Sequence, residues 1–177
     1  MPPKQKPAIY DHSVGKNNIV LREITHWDNY ALAAVIRGTM DEFKINKPNT
    51  VYFEPSTDSL FELFKSVAGA HYFVAVLNGE IAGGAGIFPT AQLPPGVCEL
   101  VKMYLKSSAR GRGIGKELIA KCLQKAKELQ YKQIYLESRN ELIRAVGLYE
   151  KFGFQLLKAP MGNSGHTHTD IWMIKSI

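Results

Sequence analysis

A short basic segment rich in glycine holds the residues whose types and spacing point most clearly to chemistry. Residues 110–115 read Arg-Gly-Arg-Gly-Ile-Gly, and Lys116 follows directly. Glycines at alternate positions let the backbone turn sharply and approach a ligand closely. If a helix begins here, its unpaired N–H groups, its partial positive charge and the cationic side chains beside it can hold an anion. The segment therefore predicts a binding turn for phosphate or pyrophosphate.

Two common phosphate-binding patterns do not fit this segment. A Walker loop needs glycine where Arg110 stands and serine or threonine where Glu117 stands. The dinucleotide pattern G-x-G-x-x-G fails because Lys116 occupies its last glycine position. The glycines of residues 83–86 lie inside a predicted strand, where they indicate a bulge or a close approach of two backbones. Taken alone, residues 110–115 also fit an ordinary surface turn before a basic helix.

The elements around the turn are predicted from hydrophobic periodicity. Apolar residues at helical spacing predict helices over residues 27–44, 113–129 and 142–152, and a further helix from capping residues 56–59 to about Gly69. Apolar runs predict strands over residues 19–24, 71–77, 80–88, 97–105, 133–137 and 170–174, with an extra strand around 154–157. Asn78 and Gly79 predict a tight hairpin turn. This order indicates an α/β fold whose sheet has mixed strand directions.

Length and composition indicate an ordinary globular chain. Its 177 residues suit one domain, which we expect over residues 19–177 after a flexible lead-in at residues 1–18. Apolar runs stay below the ~20 residues that span a bilayer, and the N-terminus does not read as a secretory signal, so we expect a cytoplasmic protein without a membrane partner. Cys98 and Cys122 both sit among apolar residues, which predicts buried, reduced thiols.

The positive charge raises the question of a nucleic-acid partner. The net charge is +6, but the basic residues are scattered except between Lys102 and Lys116. That group coincides with the glycine turn, and the predicted helices show no continuous basic face with interleaved aromatic residues. We therefore expect no nucleic-acid partner.

Two motifs resemble those of one enzyme superfamily. The strand at 97–105, the R-x-x-G-x-G turn at 110–115 and the amphipathic helix after it closely resemble the cofactor-binding core of the GNAT superfamily of N-acetyltransferases. Residues 145–154, Ala-Val-Gly-Leu-Tyr-Glu-Lys-Phe-Gly-Phe, look like its A-x-x-L-Y-E-K-x-G-F signature. The resemblance covers roughly residues 74–154. It implies a mixed, mostly antiparallel central sheet flanked by helices, with a splayed pair of parallel strands that holds the cofactor.

The resemblance also implies acetyl-CoA as co-substrate. Its pyrophosphate would lie on the turn formed by Arg110, Gly111, Arg112, Gly113, Ile114 and Gly115, with Lys116 close by. Its pantetheine arm would bond to the backbone near Met103, Tyr104 and Leu105. Many members carry an asparagine seven residues before the signature tyrosine, where it contacts the arm. Leu142 stands there in this chain and Asn140 lies two positions earlier, so that role is not carried over.

Two side chains are candidates for proton transfer. The family assigns the proton donor for the departing thiolate to the tyrosine that matches Tyr149, although Tyr149 also fits a residue that only packs in the core. Glu99, opposite the expected thioester, is the candidate base that takes a proton from the amine, directly or through water. A strand glutamate paired with a lysine is the alternative for Glu99, and Glu137 is the second choice of base.

These features together predict an acetyl-CoA-dependent N-acetyltransferase that moves an acetyl group to an amine of a small molecule by direct attack. The alternative is a CoA-binding sensor or interaction module of the same fold. The loops at 44–55, 88–96 and 159–169 are expected to shape the acceptor pocket. His166, His168 and Asp170 give only a weak metal signal, so we expect no metal and a contact of the histidines with the acceptor at most. The acceptor and the oligomeric state stay open, although many members form homodimers.

Overall fold

The computed structural model describes residues 18–177, so the predicted lead-in at residues 1–18 lies outside it except for its last residue. Seven strands form one sheet in the order β1-β2-β3-β4-β5-β7-β6. The strands are β1 (Ile19–Glu23), β2 (His71–Leu77), β3 (Glu80–Phe88), β4 (Val97–Leu105), β5 (Gln133–Ser138), β6 (Gln155–Leu156) and β7 (Ile171–Ser176). The α-helices are α1 (Asn29–Glu42), α2 (Leu60–Ser66), α3 (Ile114–Glu128) and α4 (Ile143–Lys151).

The sheet is mixed and mostly antiparallel, as predicted. Only β4 and β5 pair in parallel; the other neighbouring pairs among the seven strands are antiparallel. The parallel register runs from Val97 and Gln133 to Leu100 and Leu136, whereas β4 continues to Leu105. The two strands therefore separate after Leu100, which opens the sheet along the second half of β4.

The glycines of β3 lie opposite this opened half of β4. The register between the two strands shifts between Gly84 and Gly86, which confirms the predicted irregularity. A Cβ atom at Gly83 would lie 2.0 Å from the carbonyl oxygen of Tyr104, so no other residue fits there without a backbone shift. Lys102, within the bulge of β4, has a φ of 49°. The glycines thus let β3 follow β4 closely where β4 leaves β5.

Helices cover both faces of the sheet and bury two apolar clusters. The larger cluster joins the sheet to α3 and α4, and includes Leu118 and Phe154. It also contains Cys98 and Cys122, which are buried and free, as predicted. The second cluster joins the other face to α1 and α2 through residues such as Leu32.

Two predicted helices begin or end differently in the structure. The first opens with a 3-10 turn, His26–Asp28, before α1. The second was expected to reach about Gly69, but α2 ends at Ser66. Val67 is extended there, as its β-branched side chain favours, and the Ser66 hydroxyl donates a 3.0 Å hydrogen bond to Leu63, which competes with continued helix. None of the helices in residues 18–177 is both long and apolar enough to cross a bilayer.

Candidate active site

The glycine turn leads directly into α3, as the sequence predicts. Gly113 occupies the N-cap position with a φ of 84°, and no side chain of the described residues caps the helix. The first amide with a helical acceptor is that of Glu117, which donates to the carbonyl of Gly113 at 3.2 Å. The N–H groups of Ile114, Gly115 and Lys116 precede it and have no acceptor within the helix. This helix start can bind an anion through its backbone.

The side chain of Arg110 is bonded to two other parts of the protein. Its two terminal nitrogens donate to the Glu42 carboxylate at 2.7 and 2.8 Å, and its Nε donates to the carbonyl of Leu105 at 3.1 Å. The guanidinium also lies 5.0 Å from the centre of the Phe43 ring. Because Glu42 neutralises this charge, Arg110 anchors the turn to β4 and to the end of α1. Lys116 is exposed beside the helix start.

Tyr149 lies where the glycine turn meets the opened half of β4. Its hydroxyl is 3.6 Å from the sulfur of Met103, and its ring packs edge-on against Phe154 at 5.9 Å. A Cβ atom at Gly115 would lie 3.3 Å from the terminal methyl group of Met103. The residue is only 7% exposed, and burial raises the pKa of Tyr149 well above its ordinary value. The phenol therefore holds its proton at neutral pH, as a proton donor must.

Glu99 lies on the opposite face of β4 from Tyr149. Leu100 belongs to the cluster under α3 and α4, whereas Glu99 faces a cavity on the side of α1 and α2. Glu99 is 4% exposed and accepts a short hydrogen bond from the hydroxyl of Thr90. Burial raises the pKa of Glu99 to about 7; the charge of Glu137 adds to this and the Thr90 bond opposes it. Glu99 can therefore exchange a proton near neutral pH.

A charged cluster on three separate segments borders the same cavity. Glu54, in the segment between α1 and α2, lies 2.5 Å from Nε2 of His166 and accepts a 2.6 Å bond from Lys102. Burial alone would raise the pKa of Glu54, but His166 and Lys102 outweigh it and lower the pKa to about 2. Burial alone would lower the pKa of His166, but the bond and charge of Glu54 raise it. The cluster ties the loops to the bulge of β4.

The carboxylate of Glu137 is held by three hydroxyl groups. Tyr135 donates to it at 2.9 Å, Ser164 at 2.8 Å and Thr169 at 3.3 Å. Two of these donors belong to the segment between β6 and β7, so Glu137 fixes that segment against β5. This arrangement favours a positioning role for Glu137 and leaves Glu99 as the better candidate base.

The cavity measures about 380 Å³, a volume within the range of small-molecule sites. The three loops that were expected to shape the acceptor pocket all contribute to its wall, together with β4 and the end of β5. Its polar side chains are Thr50, Glu54, Ser56, Thr90, Glu99, Lys102, Tyr104, Glu137, Ser138, Arg139, Asn163, Ser164, His166, His168 and Thr169.

The residues that gave the weak metal signal do not gather. His166 pairs with Glu54, whereas Asp170 accepts two bonds from Asn140, at 2.9 Å from its backbone and 2.8 Å from its side chain. Within residues 18–177 no three histidine, cysteine or acidic side chains come together as a metal site would require. Asn140 thus tethers the start of β7, and Leu142 packs in the second apolar cluster.

Three of the cavity residues that were not singled out from the sequence lie beside the opening of the sheet or contact the candidate base. Lys102 and Arg139 flank the opening between β4 and β5, and Thr90 holds the carboxyl of Glu99. A lysine, an arginine and a threonine in or beside strands carry no local pattern.

Comparisons with known proteins agree with this geometry. The family model described as Acetyltransferase (GNAT) family matches residues 34–154. The chain is 33% identical over 168 residues to the uncharacterized N-acetyltransferase YjgM of Escherichia coli (strain K12), covering 94% of this chain and 99% of that protein. Its fold is similar to that of a GNAT-family acetyltransferase from Staphylococcus aureus Mu50, with a TM-score of 0.79 and 22% identity. The match covers 89% of this chain and 98% of that one. It is also similar to that of the PaiA N-acetyltransferase of Thermoplasma acidophilum in complex with coenzyme A, with a TM-score of 0.70 and 18% identity. That match covers 90% of this chain and 99% of the other.

Proposed function

The chain belongs to the GNAT family of acetyltransferases, and on that premise we propose that it transfers the acetyl group of acetyl-CoA to the amine of a small molecule by direct attack on the thioester. One observation carries the proposal. The uncapped start of α3, the opened half of β4 and the phenol of Tyr149 meet at Met103, which is 3.6 Å from the Tyr149 hydroxyl and reaches to within 3.3 Å of the Cβ position of Gly115.

The turn fits a diphosphate. Gly111 and Gly113 have open space where a side chain would begin, and both have positive φ angles, 75° and 84°. The helix start therefore offers N–H groups that an anion can reach without displacing side chains. We propose that the amides from Gly111 to Lys116 bind the pyrophosphate, and that the backbone from Met103 to Leu105, which β5 no longer pairs, binds the amide-bearing arm.

The two candidate proton-transfer groups suit the reaction from opposite faces of β4. Acetyl-CoA supplies the thioester. An aliphatic amine has a pKa of ~10.4 and must lose a proton before it can attack. Glu99, with a pKa of about 7, takes that proton, directly or through water. Tyr149 keeps its proton because burial raises its pKa, and it donates that proton to the departing sulfur.

The first test is calorimetry of the full chain with acetyl-CoA. We expect saturable binding, and Lys116→Gln should weaken it several-fold because the lysine stands beside the helix start. Lys127→Gln is the matched control: it removes the same charge from the exposed far end of α3 and should leave the affinity unchanged. An absence of heat at millimolar acetyl-CoA would refute the proposal.

The second test is turnover with a broad panel of amines, followed by mass spectrometry of the products. We expect release of free CoA together with an acetylated amine. Binding of acetyl-CoA without transfer to any amine would instead favour the alternative, a coenzyme-binding sensor of the same fold. A cytoplasmic location and a homodimer stay predictions of the proposal.

A further inference from the structure

Most polar groups that line the cavity already have partners within the protein. The Glu54 carboxylate contacts Lys102 and His166. The Glu137 carboxylate accepts hydrogen bonds from three hydroxyl groups. Glu99 accepts a hydrogen bond from the hydroxyl of Thr90. Each of these carboxylates therefore has a hydrogen-bond donor within the protein, and the charge of Glu54 is also paired with cationic side chains.

Arg139 differs from these groups. It directly follows β5, and its Nη2 and Nε donate to the exposed end of Glu141 at 3.1 and 3.3 Å. Its Nη1 is buried and finds no hydrogen-bond partner among residues 18–177. The side chain as a whole is only 16% exposed. A buried donor on a charged group is unfavourable unless something accepts its hydrogen bond, and none of the described residues does so for this nitrogen.

The guanidinium lies within reach of the reacting region. Arg139 lines the same cavity as Glu99 and the opened half of β4. Tyr104, on the opened half of β4, lines this cavity as well. A ligand in the cavity can therefore contact Arg139 and approach Glu99 together.

We propose that Arg139 binds an anionic oxygen group of the acceptor, and that the acceptors are amines carrying a carboxylate or similar oxyanion, such as free amino acids. The planar guanidinium matches the geometry of such groups. A polyamine carries no oxygen that could accept a hydrogen bond from Arg139. This inference rests on the proposed function, because it names the acceptor class of that same cavity.

The test compares acceptors that share one side chain and differ at the anionic group, with kcat/KM expressed per unprotonated amine because this group also changes the pKa of the amine. Leucine, leucinamide and 3-methylbutylamine share one side chain, and equivalent sets can be made from methionine, phenylalanine and glutamate; spermidine represents the polyamines. In the sets that are acetylated we expect kcat/KM to be about 10- to 100-fold higher for the carboxylate form, the range of one hydrogen bond to a charged group. Arg139→Met should remove this preference, Arg139→Lys should keep part of it, and Lys127→Gln should leave it unchanged.

Several results would overturn the inference while the proposed function stands. One is equal or better transfer to the amides, simple amines or spermidine by the unaltered protein. A second is an Arg139→Met variant that loses activity equally for charged and neutral acceptors. A third is an Arg139→Met variant that binds acetyl-CoA less tightly. Each of these two results would mean that Arg139 does not contact the anionic group of the acceptor. If Arg139→Met does not fold, the inference is judged by whether the unaltered protein prefers carboxylate acceptors to amides and simple amines.

Direct binding measurements distinguish a failure of the proposed function from a failure of the inference about Arg139. If acetyl-CoA gives no heat with the unaltered protein, transfer is excluded, and the same acceptor sets are titrated into the coenzyme-free protein. Tighter binding of carboxylates than of their amides, lost in Arg139→Met, supports the anion site. Equal binding, or no binding of any carboxylate, contradicts it.

Discussion

Replacing Glu99 by glutamine should change how the stability of the protein depends on pH. An ordinary glutamate has a pKa of 4.5, whereas burial raises that of Glu99 to about 7. The folded chain thus holds this proton more tightly than the unfolded chain does. The free energy of unfolding therefore falls as the pH rises from about 4.5 to about 7, and it stays lowered above that range.

The size of the effect follows from the difference between the two pKa values. A difference of this size corresponds to roughly 3 kcal/mol when the folded chain must ionise Glu99. Glutamine has no proton to lose and can still accept the hydroxyl of Thr90. Relative to the unaltered protein, Glu99→Gln should therefore gain roughly 3 kcal/mol between pH 4.5 and 8, which for a chain of this size is a rise of about 6 to 12 °C in melting temperature.

Urea titrations of both proteins at closely spaced pH values give this difference directly, because other titrating groups cancel. Glu80→Gln is the control, since that side chain is 84% exposed and its replacement should give a flat difference. A flat difference for Glu99→Gln as well, or one of opposite sign, would refute the reasoning that burial holds the proton on Glu99. Its assignment as the base would then lose its physical basis.

Three further predictions concern other parts of the molecule. Tyr149→Phe should lower kcat by roughly 100-fold or more and leave the calorimetric affinity for acetyl-CoA nearly unchanged, because it removes only the proton donor; equal losses in both would argue against that role. Gly84→Ala should destabilise the protein by about 1–3 kcal/mol in denaturant unfolding, because its Cβ would lie 2.5 Å from a backbone oxygen, whereas Gly38→Ala on the open side of α1 should stabilise it by about 1 kcal/mol. Glu54→Gln should lower the pKa of His166 measured by NMR, since burial then acts without the opposing carboxylate; an unchanged value would show that the pair does not form.

The sequence predicted the sheet well because its signals are local. The strands at 71–77, 80–88 and 97–105 have the predicted bounds, since Asn-Gly and the proline- and glycine-containing loop mark where each one ends. Tyr149 and the glycine turn were found from motifs of fixed spacing. The contact of Tyr149 with Met103 still required the fold, because 46 residues separate them.

The polar wall of the cavity could not be predicted in the same way. Glu54 and His166 are 112 residues apart and meet only because two loops dock over β4. Such contacts depend on tertiary packing, which leaves no periodicity in the chain. The partner of Arg110 could not be predicted for the same reason, since Glu42 approaches it from a distant helix.

The separation of β4 from β5 places an unpaired strand edge in the middle of the sheet, a feature that in other proteins invites strand addition and aggregation. Here the carbonyl oxygens of Lys102 and Leu105 are already taken, by the hydroxyl of Tyr72 at 2.8 Å and by Nε of Arg110 at 3.1 Å. A foreign polypeptide strand would have to displace Arg110 from the Leu105 carbonyl before it could continue the ladder there. The opening therefore offers a foreign strand fewer free carbonyl groups than an ordinary exposed strand edge does.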